Sequence, residues 1–148
     1  MRPHIIVAVG LPGSGKSTWF ARRGAHPISS DAIRLQLVDD EADQTINAQV
    51  FATVRHLLMQ RICLRRPVTY IDATNLTRRD RRLYIEIARE HGCAVDALWF
   101  DMPLHVCQLR NAARGRVVPD SAMILMAAKF IPPSEEEGFG RVVRVTGS

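Results

Sequence analysis

The chain has 148 residues, of which 47 % are apolar and 24 % charged, and its formal net charge is +5. This length suits a single domain over residues 1–148, and the composition argues against a disordered or fibrous chain. No apolar run is long enough to cross a bilayer, so we expect no membrane partner. The N-terminus passes from a basic start through an apolar run into a glycine loop without a small-residue cleavage site, which predicts a first strand and a cytoplasmic protein.

Arginine carries almost all of the positive charge. Lysine and arginine together number 20, but only Lys16 and Lys129 are lysines. The guanidinium group grips phosphate in a bidentate manner better than lysine does, and a basic surface favours a polyanionic partner such as nucleic acid. An arginine-rich composition also arises from a GC-rich genome, so composition alone leaves the partner open.

Strand and helix signals alternate along the chain, which is typical of an α/β domain with a parallel sheet. The run Ile5 to Val9, rich in β-branched residues, predicts a strand buried on both faces. Further strands are predicted at Pro27 to Ser29, Val68 to Asp72, Ala94 to Phe100 and Arg141 to Val145. Helices are predicted at Lys16 to Arg23, from near Asp31, at Asp43 to Arg65, from Thr77 to Gly92, from Pro103 to about Ala113, and from Pro119 to the Pro132-Pro133 pair. We therefore expect a three-layer α/β/α fold with a central parallel sheet and a ligand site at the carboxyl ends of the strands.

The segment Gly10 to Thr18 reads GLPGSGKST and satisfies the P-loop pattern G-x-x-x-x-G-K-[ST] between a buried strand and a helix. Its glycines let backbone N–H groups surround phosphates, and the helix presents its positive N-terminal end to the same anion. Lys16 is predicted to reach the β- and γ-phosphates of ATP, and the Ser17 hydroxyl to bind Mg²⁺. The predicted cradle comprises Gly10, Gly13, Ser14, Gly15, Lys16, Ser17 and Thr18.

A second element is the segment YIDATN, Tyr70 to Asn75, which places Asp72 at the carboxyl end of a predicted strand. Open α/β sheets bind their ligands at that edge. Asp72 is therefore a candidate acid near Mg²⁺ or a residue that positions another catalytic side chain. The alternative is a carboxylate that only caps the strand end.

A third element, SSDAIR, follows the short second strand at the same edge. Asp31 there is a candidate acceptor for the proton of an attacking hydroxyl, as phosphoryl transfer requires. Arg34 shares the helix face of Asp31 and is a candidate ligand for an acceptor phosphate. By spacing alone, Asp31 could equally be a helix-capping residue.

A fourth element is LRNAARGRVVP, in which Arg110 and Arg114 are four residues apart and Arg116 follows a glycine. Arginines on a helix that closes over ATP neutralise charge on the transferred phosphoryl group. The alternative is an exposed basic face. The segment TRRDRR, Thr77 to Arg82, is likewise either a contact for the nucleic-acid backbone or a solvated first helical turn.

These four elements, in this order, resemble the kinase domain of polynucleotide 5′-hydroxyl kinases, a family that includes a phage enzyme and the kinase modules of bacterial RNA-repair proteins. The resemblance runs from about Ile5 to Pro119, and more weakly to the end of the chain. It implies that Asp31 is the general base for the 5′-hydroxyl of an RNA or DNA end and that Arg34 contacts the acceptor phosphate.

The resemblance also implies roles for two further segments. The DATN segment would contribute Asp72 and Asn75 to the acceptor site, with the acid supporting the acceptor-site arginine. Arg110 and Arg114 would grip ATP phosphates from a helical lid at about residues 103–118.

The chain lacks the Asp-x-Asp-x-Thr motif and the His-Asp cluster of the hydrolases often joined to such kinases, so we expect a kinase alone or a kinase module of a larger protein. We predict transfer of the ATP γ-phosphate to a 5′-hydroxyl end of RNA or DNA, with Asp31, Lys16, Arg34 and Arg114 as catalytic residues. Two alternatives remain: a P-loop kinase of a small metabolite such as gluconate, shikimate or an antibiotic, and a non-catalytic ATP-binding switch.

Overall fold

A computed structural model describes residues 2–114 and 118–146 of the chain. Its strands are β1 (His4–Val9), β2 (Ile28–Ser29), β3 (Val68–Asp72), β4 (Ala94–Phe100) and β5 (Val142–Val145). They form one sheet in the order β2-β3-β1-β4-β5, and every neighbouring pair is parallel. Each observed strand falls on a predicted one, and the predicted parallel sheet is confirmed.

The α-helices in this part of the chain are α1 (Lys16–Arg22), α2 (Ser30–Val38), α3 (Asn47–Cys63), α4 (Arg78–His91), α5 (Leu104–Ala112) and α6 (Asp120–Lys129). Helix α4 begins with the predicted capping box between Thr77 and Asp80 and ends at Gly92 in the left-handed conformation. These local signals placed both ends of the helix correctly, because capping side chains satisfy the free N–H groups of the first turn. None of the described helices combines the length and the apolar character needed to cross a membrane.

Helices cover both faces of the sheet. On one face, Ile5 and Val7 of β1 pack with residues of α3 and α4 in the main apolar cluster. On the other face, Ala8 packs with Phe20 of α1 and Leu98 of β4. Burial on both faces explains why β1 is apolar without alternation. The predicted three-layer α/β/α fold is confirmed.

The predicted long helix from Asp43 to Arg65 is wrong at its start. A 3-10 turn, Gln44–Ile46, comes first, and the α-helix begins only at Asn47. The carboxylate of Asp43 accepts hydrogen bonds from the backbone N–H and the hydroxyl of Thr45, at 2.8 and 2.5 Å. These bonds lower the pKa of Asp43 and hold the turn tighter than an α-helix. The consequence is that Asn47 lies at the end of a turn that faces α2.

The sheet register brings the sequence elements to one edge. Ser29 of β2 pairs with Asp72 of β3, so the residues before α2 lie beside the end of β3. The N–H of Gly10, just after β1, donates to the carbonyl oxygen of Thr74 at 3.0 Å. The P-loop, the Asp72 segment and the start of α2 therefore meet at the carboxyl edge, as predicted.

The interpretation of Thr77 to Arg82 as a nucleic-acid contact or a solvated turn is wrong for Arg81. Its side chain is fully buried and forms an ion pair with Glu137, which is also buried. Arg81 also donates to the carbonyl oxygen of Asn75 at 2.9 Å. This arginine is structural, because it joins α4, the segment after β3 and the segment before β5.

Candidate active site

The glycines of the P-loop lie where a side chain would not fit. A Cβ atom on Gly13 would lie 2.4 Å from the carbonyl oxygen of Cys107, and the φ angle of Gly13 is +81°. A Cβ atom on Gly10 would lie 2.6 Å from the Ser14 hydroxyl oxygen. The loop is therefore packed directly against the backbone of α5, and its curvature depends on glycine.

Lys16 lies inside this loop. Its Nζ atom donates to the carbonyl oxygens of Gly10 and Leu11 at 2.8 and 2.9 Å. Burial lowers the pKa of Lys16, while the charges of Asp72 and Asp31 offset part of this shift. The ammonium group is thus held at the loop by two carbonyl oxygens, at the position that the P-loop pattern assigns to a phosphate-binding lysine.

The first turn of α1 carries the remaining predicted phosphate and metal ligands. Ser17 and Thr18 are exposed and line the cavity described below. The buried hydroxyl oxygen of Ser14 has no hydrogen-bond partner within residues 2–114 and 118–146. A loop that excludes side chains, a buried lysine and the Ser14 hydroxyl without a partner in the described part of the chain fit a phosphate, and the binding of Mg²⁺ by Ser17 stays a prediction.

Asp31 and Arg34 form an ion pair at the start of α2. Nη1 of Arg34 donates to Oδ1 of Asp31 at 2.9 Å. Nη2 donates to Oδ1 of Asn47 at 2.7 Å. The Arg34 side chain is 6 % exposed, whereas that of Asp31 is 44 % exposed. The arginine is therefore fixed within the protein, and the carboxylate is partly exposed. Asp31 does not act as the cap of α2, because the hydroxyl of Ser29 accepts from the Ala32 N–H and fills that role.

The two predicted residues after β3 have different surroundings. Burial raises the pKa of the Asp72 carboxyl, the charge of Lys16 opposes this shift, and the charge of Asp31 adds to it. Asp72 therefore lies within electrostatic reach of both Lys16 and Asp31. Asn75 has a φ angle of 49°, and its amide nitrogen donates to the carbonyl oxygen of Ala8 at 2.8 Å. That bond joins the segment after β3 to β1, and the role of Asn75 toward a substrate stays a prediction.

The predicted lid contains α5 and the residues after it. Nη1 of Arg110 lies over the P-loop, where a Cβ atom on Gly15 would come within 3.4 Å of it. Nη2 of Arg114 donates to Oδ1 of Asn111 at 3.0 Å. Arg116 and the two residues beside it lie outside the described residues.

All four sequence elements line one cavity of about 1050 Å³. This is the size of a large ligand site. The predicted residues that line it are Gly13, Ser14, Gly15, Lys16, Ser17, Thr18, Asp31, Arg34, Asp72, Asn75, Arg110 and Arg114. Gly10 is not in this lining, and it contributes the carbonyl group that holds Lys16.

Two asparagines of the site, Asn47 and Asn111, were not among the predicted site residues. Asn47 holds Nη2 of Arg34, the bond for which the family resemblance suggested Asp72. Asn111 is fully buried and bonds to both the N–H and the carbonyl group of Val118, besides Arg114. The only signal for Asn111 was its place between Arg110 and Arg114, and no spacing pointed to Asn47.

A protein-family model described as an AAA domain matches residues 5–133. The chain belongs to this AAA domain family. The matched residues include the P-loop and all the other residues that line the cavity except Val145. The P-loop domain predicted from the sequence is therefore confirmed.

Solved structures show where the fold of this AAA domain occurs. A chain of the Pnkp1/Rnl/Hen1 RNA repair complex matches 86 % of this chain with a TM-score of 0.71 and 22 % identity, and the match spans only 44 % of that chain. A gluconokinase from Sinorhizobium meliloti matches 98 % of this chain and 83 % of its own, with a TM-score of 0.58 and 22 % identity.

A third structure is the APS kinase of Mycobacterium tuberculosis in complex with AMPPNP and APS. It matches 99 % of this chain and 91 % of its own, with a TM-score of 0.61 and 17 % identity. At these identities the likeness concerns the fold, which is that of P-loop kinases. The chain spans less than half of the RNA-repair chain that it matches.

Proposed function

We propose that this AAA domain transfers the γ-phosphate of ATP to the 5′-hydroxyl end of RNA or DNA. The observation that carries the proposal is the ion pair of Asp31 and Arg34, which lines the same cavity as Lys16 of the P-loop. It supplies a partly exposed carboxylate for a hydroxyl and a buried guanidinium for a phosphate, side by side. An acceptor that carries both groups on one sugar, as the end nucleotide of a strand does, matches this pair.

The proposed reaction begins at Asp31. The 5′-oxygen of the acceptor forms a bond to the γ-phosphorus, and the bond from that phosphorus to the β–γ bridging oxygen breaks. The hydroxyl proton passes to the Asp31 carboxylate, and ADP leaves with the bridging oxygen. The partial exposure of Asp31 fits this role, because the proton can then pass from Asp31 to solvent.

Cationic side chains offset the charge on the transferred group. Lys16 reaches the phosphates from within the P-loop, and Arg110 lies over the same loop. Arg114 lines the cavity from the end of α5 and is close enough to act on the pKa of Lys16. Such groups stabilise the transition state when they face the charge that develops on the phosphoryl oxygens. Mg²⁺ held by Ser17 would neutralise further negative charge on the β- and γ-phosphates.

The test is transfer of labelled γ-phosphate to matched RNA and DNA oligonucleotides that end in a 5′-hydroxyl, with gluconate and other sugars as rival acceptors. We expect label on the oligonucleotide, and we expect Asp31→Asn to lower kcat by roughly 10²- to 10⁴-fold without a comparable change in the KM for ATP. Labelling of a sugar, with none on either oligonucleotide, would replace the proposal with a metabolite kinase. Slow ATP hydrolysis without any acceptor would indicate a nucleotide-dependent switch.

A further inference from the structure

The acceptor side of the cavity has a feature that the Asp31–Arg34 pair does not use. Asn47 and Phe51 are four residues apart on α3, hence one helical turn apart on the same face, and both line the cavity. Asn47 contacts Arg34 directly. Phe51 is therefore an aromatic side chain one helical turn beyond Asn47, which in turn contacts the predicted phosphate-binding Arg34.

Asn47 is oriented for its contact with Arg34. Its amide nitrogen donates to Oε1 of Gln44 at 3.3 Å, which leaves Oδ1 to accept from Arg34 at 2.7 Å. The Asp31 and Asn47 bonds fix both terminal nitrogens of Arg34. Its Nε atom is buried and has no acceptor in the described part of the chain. Because these two bonds fix the orientation of the guanidinium group, it can bind an anion only at one defined position in the cavity.

Phe51 contributes a rigid apolar ring to the cavity. Its ring is partly buried and packs against the main core cluster, while the residue also lines the cavity. Leu35 follows Arg34 on α2, is 51 % exposed and lines the same cavity. Apolar and aromatic surface next to a phosphate-binding group suits a nucleobase, which stacks on aromatic rings, better than it suits a bare sugar with its hydroxyl groups.

We propose that the Asn47–Phe51 edge of α3 is the nucleoside subsite of the acceptor. Asn47 is a positioning residue that fixes Arg34 for the acceptor phosphate, and Phe51 receives the terminal base. The inference rests on the proposed function, and it adds that the terminal base and the phosphate on its 3′ side are recognised by two different side chains of α3, Phe51 directly and Asn47 through Arg34.

The test compares two acceptors that differ only in the base: thymidine 3′-phosphate and its abasic deoxyribose analogue. We expect Phe51→Leu to raise the KM for thymidine 3′-phosphate roughly five- to tenfold, because leucine keeps the core contact but loses the aromatic face. The kcat, the KM for ATP and the KM for the abasic acceptor should not change. Met59→Leu, on the same helix and packed against the same core, is the matched control and should change none of these constants.

The role of Asn47 is tested by comparing acceptors that carry a 3′-phosphate with acceptors that lack it. Asn47→Leu should raise the KM for both 3′-phosphorylated acceptors at least tenfold while leaving unphosphorylated thymidine unaffected. Asn47→Asp should restore most of the loss, because its carboxylate still accepts from Arg34. Equal effects on acceptors with and without phosphate, or no rescue by aspartate, would overturn the role of Asn47.

Equilibrium binding separates this inference from the proposed function. Calorimetric titration of the wild-type protein with each 3′-phosphate, in the presence of ADP, requires no transfer. Tighter binding of thymidine 3′-phosphate than of the abasic analogue, lost in Phe51→Leu, supports the subsite even if neither compound is phosphorylated, an outcome that would remove only the proposed reaction. Equal binding of the two compounds, or binding of neither, overturns the subsite whatever the transfer assay gives.

Discussion

Nε and Nη2 of Arg81 donate to the two carboxylate oxygens of Glu137, at 2.8 and 2.9 Å, across 56 residues of sequence. Both side chains are buried, with 0 % and 4 % exposed. Removing one partner leaves a buried charge without its counterion, so Arg81→Met or Glu137→Gln should lower the free energy of unfolding by about 3 kcal/mol.

Urea denaturation measures this loss. Arg82→Met, next in sequence but exposed, is the control and should change stability by less than about 0.5 kcal/mol. The double variant Arg81→Met/Glu137→Gln should be less unstable than the sum of the two single variants, because no unpaired charge remains. A double variant as unstable as the sum of the single ones would show that the two side chains act independently.

A second prediction concerns the contact between the P-loop and α5. Gly13→Ala places a Cβ atom 2.4 Å from the carbonyl oxygen of Cys107, so the loop or the helix must shift. We expect at least a tenfold loss of kcat/KM for ATP, because Lys16 and Arg110 lie on the two parts that move. Gly24→Ala is the matched control, since Gly24 also has a positive φ angle, +63°, but has open space around it.

Gly24→Ala should cost about 1 kcal/mol of stability from backbone strain alone and leave nucleotide binding intact. Thermal unfolding and ATP kinetics on both variants separate the two effects. Equal losses of kcat/KM in Gly13→Ala and Gly24→Ala would mean that backbone strain, and not the contact with α5, limits the loop.

The lowered pKa of Lys16 predicts proton uptake when nucleotide binds. Burial disfavours the ammonium form in the free protein, whereas a bound phosphate favours it, so between the pKa values of the free and the nucleotide-bound protein the site should take up a fraction of a proton with ADP. Calorimetry in two buffers of different ionisation enthalpy measures this quantity. Lys16→Arg stays charged throughout and should show less uptake.

The same shift fixes the sign of one contribution to stability. Because the folded pKa of Lys16 lies below its unfolded value, the unfolded chain binds more protons between these two values, and this contribution to stability rises with pH through that window. Lys16→Met should remove that rise. An unchanged pH profile of stability in Lys16→Met would contradict the burial of the charge.

The raised pKa of Asp72 predicts that removing its charge increases stability and lowers activity. Its charged form is disfavoured in the folded protein, so this contribution to stability is present at low pH and is lost as pH rises through the folded pKa. Asp72→Asn removes the buried charge and should therefore stabilise the nucleotide-free protein at neutral pH by about 1 kcal/mol, while lowering kcat by roughly 10²-fold.

Chemical denaturation at neutral and acidic pH measures the change in stability, and a phosphate-transfer assay measures the change in kcat. The gain in stability should disappear at low pH, where the wild-type carboxyl is protonated. Asp39→Asn is the control, since Asp39 is exposed in a left-handed position that asparagine accepts, and it should alter neither quantity. A destabilised Asp72→Asn variant would show that the attraction to Lys16 outweighs burial.

A fifth prediction concerns Asn111, which holds Val118 and Arg114 together. Asn111→Leu keeps the branched shape of the side chain but removes all three hydrogen bonds, so we expect a loss of about 2 kcal/mol in stability and a several-fold rise in the KM for ATP. Leu109→Ala, 71 % exposed on the same helix, should affect neither. An unchanged KM for ATP in a folded Asn111→Leu variant would place Arg114 outside the nucleotide site.

The fold was predictable because its signals are local. The glycine loop after Val9, the capping box at Thr77 and the proline before α5 each mark an element end within a few residues. A parallel sheet then brings the carboxyl ends of its strands to one edge, which is why the sequence alone could place Asp72 and the start of α2 near the P-loop.

The missed residues depend on contacts between elements. Asn47 reaches Arg34 across 13 residues and Glu137 reaches Arg81 across 56, and neither pair has a spacing that a helix or strand imposes. Arg81 also stands among exposed arginines, so its burial is set by the packing of α4 and not by its neighbours in sequence. The start of α3 was predicted too early for a different reason. The bonds between Asp43 and Thr45 hold residues 44–46 in a 3-10 turn, although the apolar residues follow a helical pattern.

The central position of β1 has a consequence for the order in which the molecule assembles. Among the described strands this one is synthesised first, yet its two neighbours, β3 and β4, end at Asp72 and Phe100, and the P-loop after it packs on Cys107. During translation the P-loop therefore lacks its neighbouring strands and its contact with α5 until the chain as far as Cys107 has left the ribosome. Nucleotide cannot assist the early stages of folding, and it stabilises the domain only after the long-range strand pairs have formed.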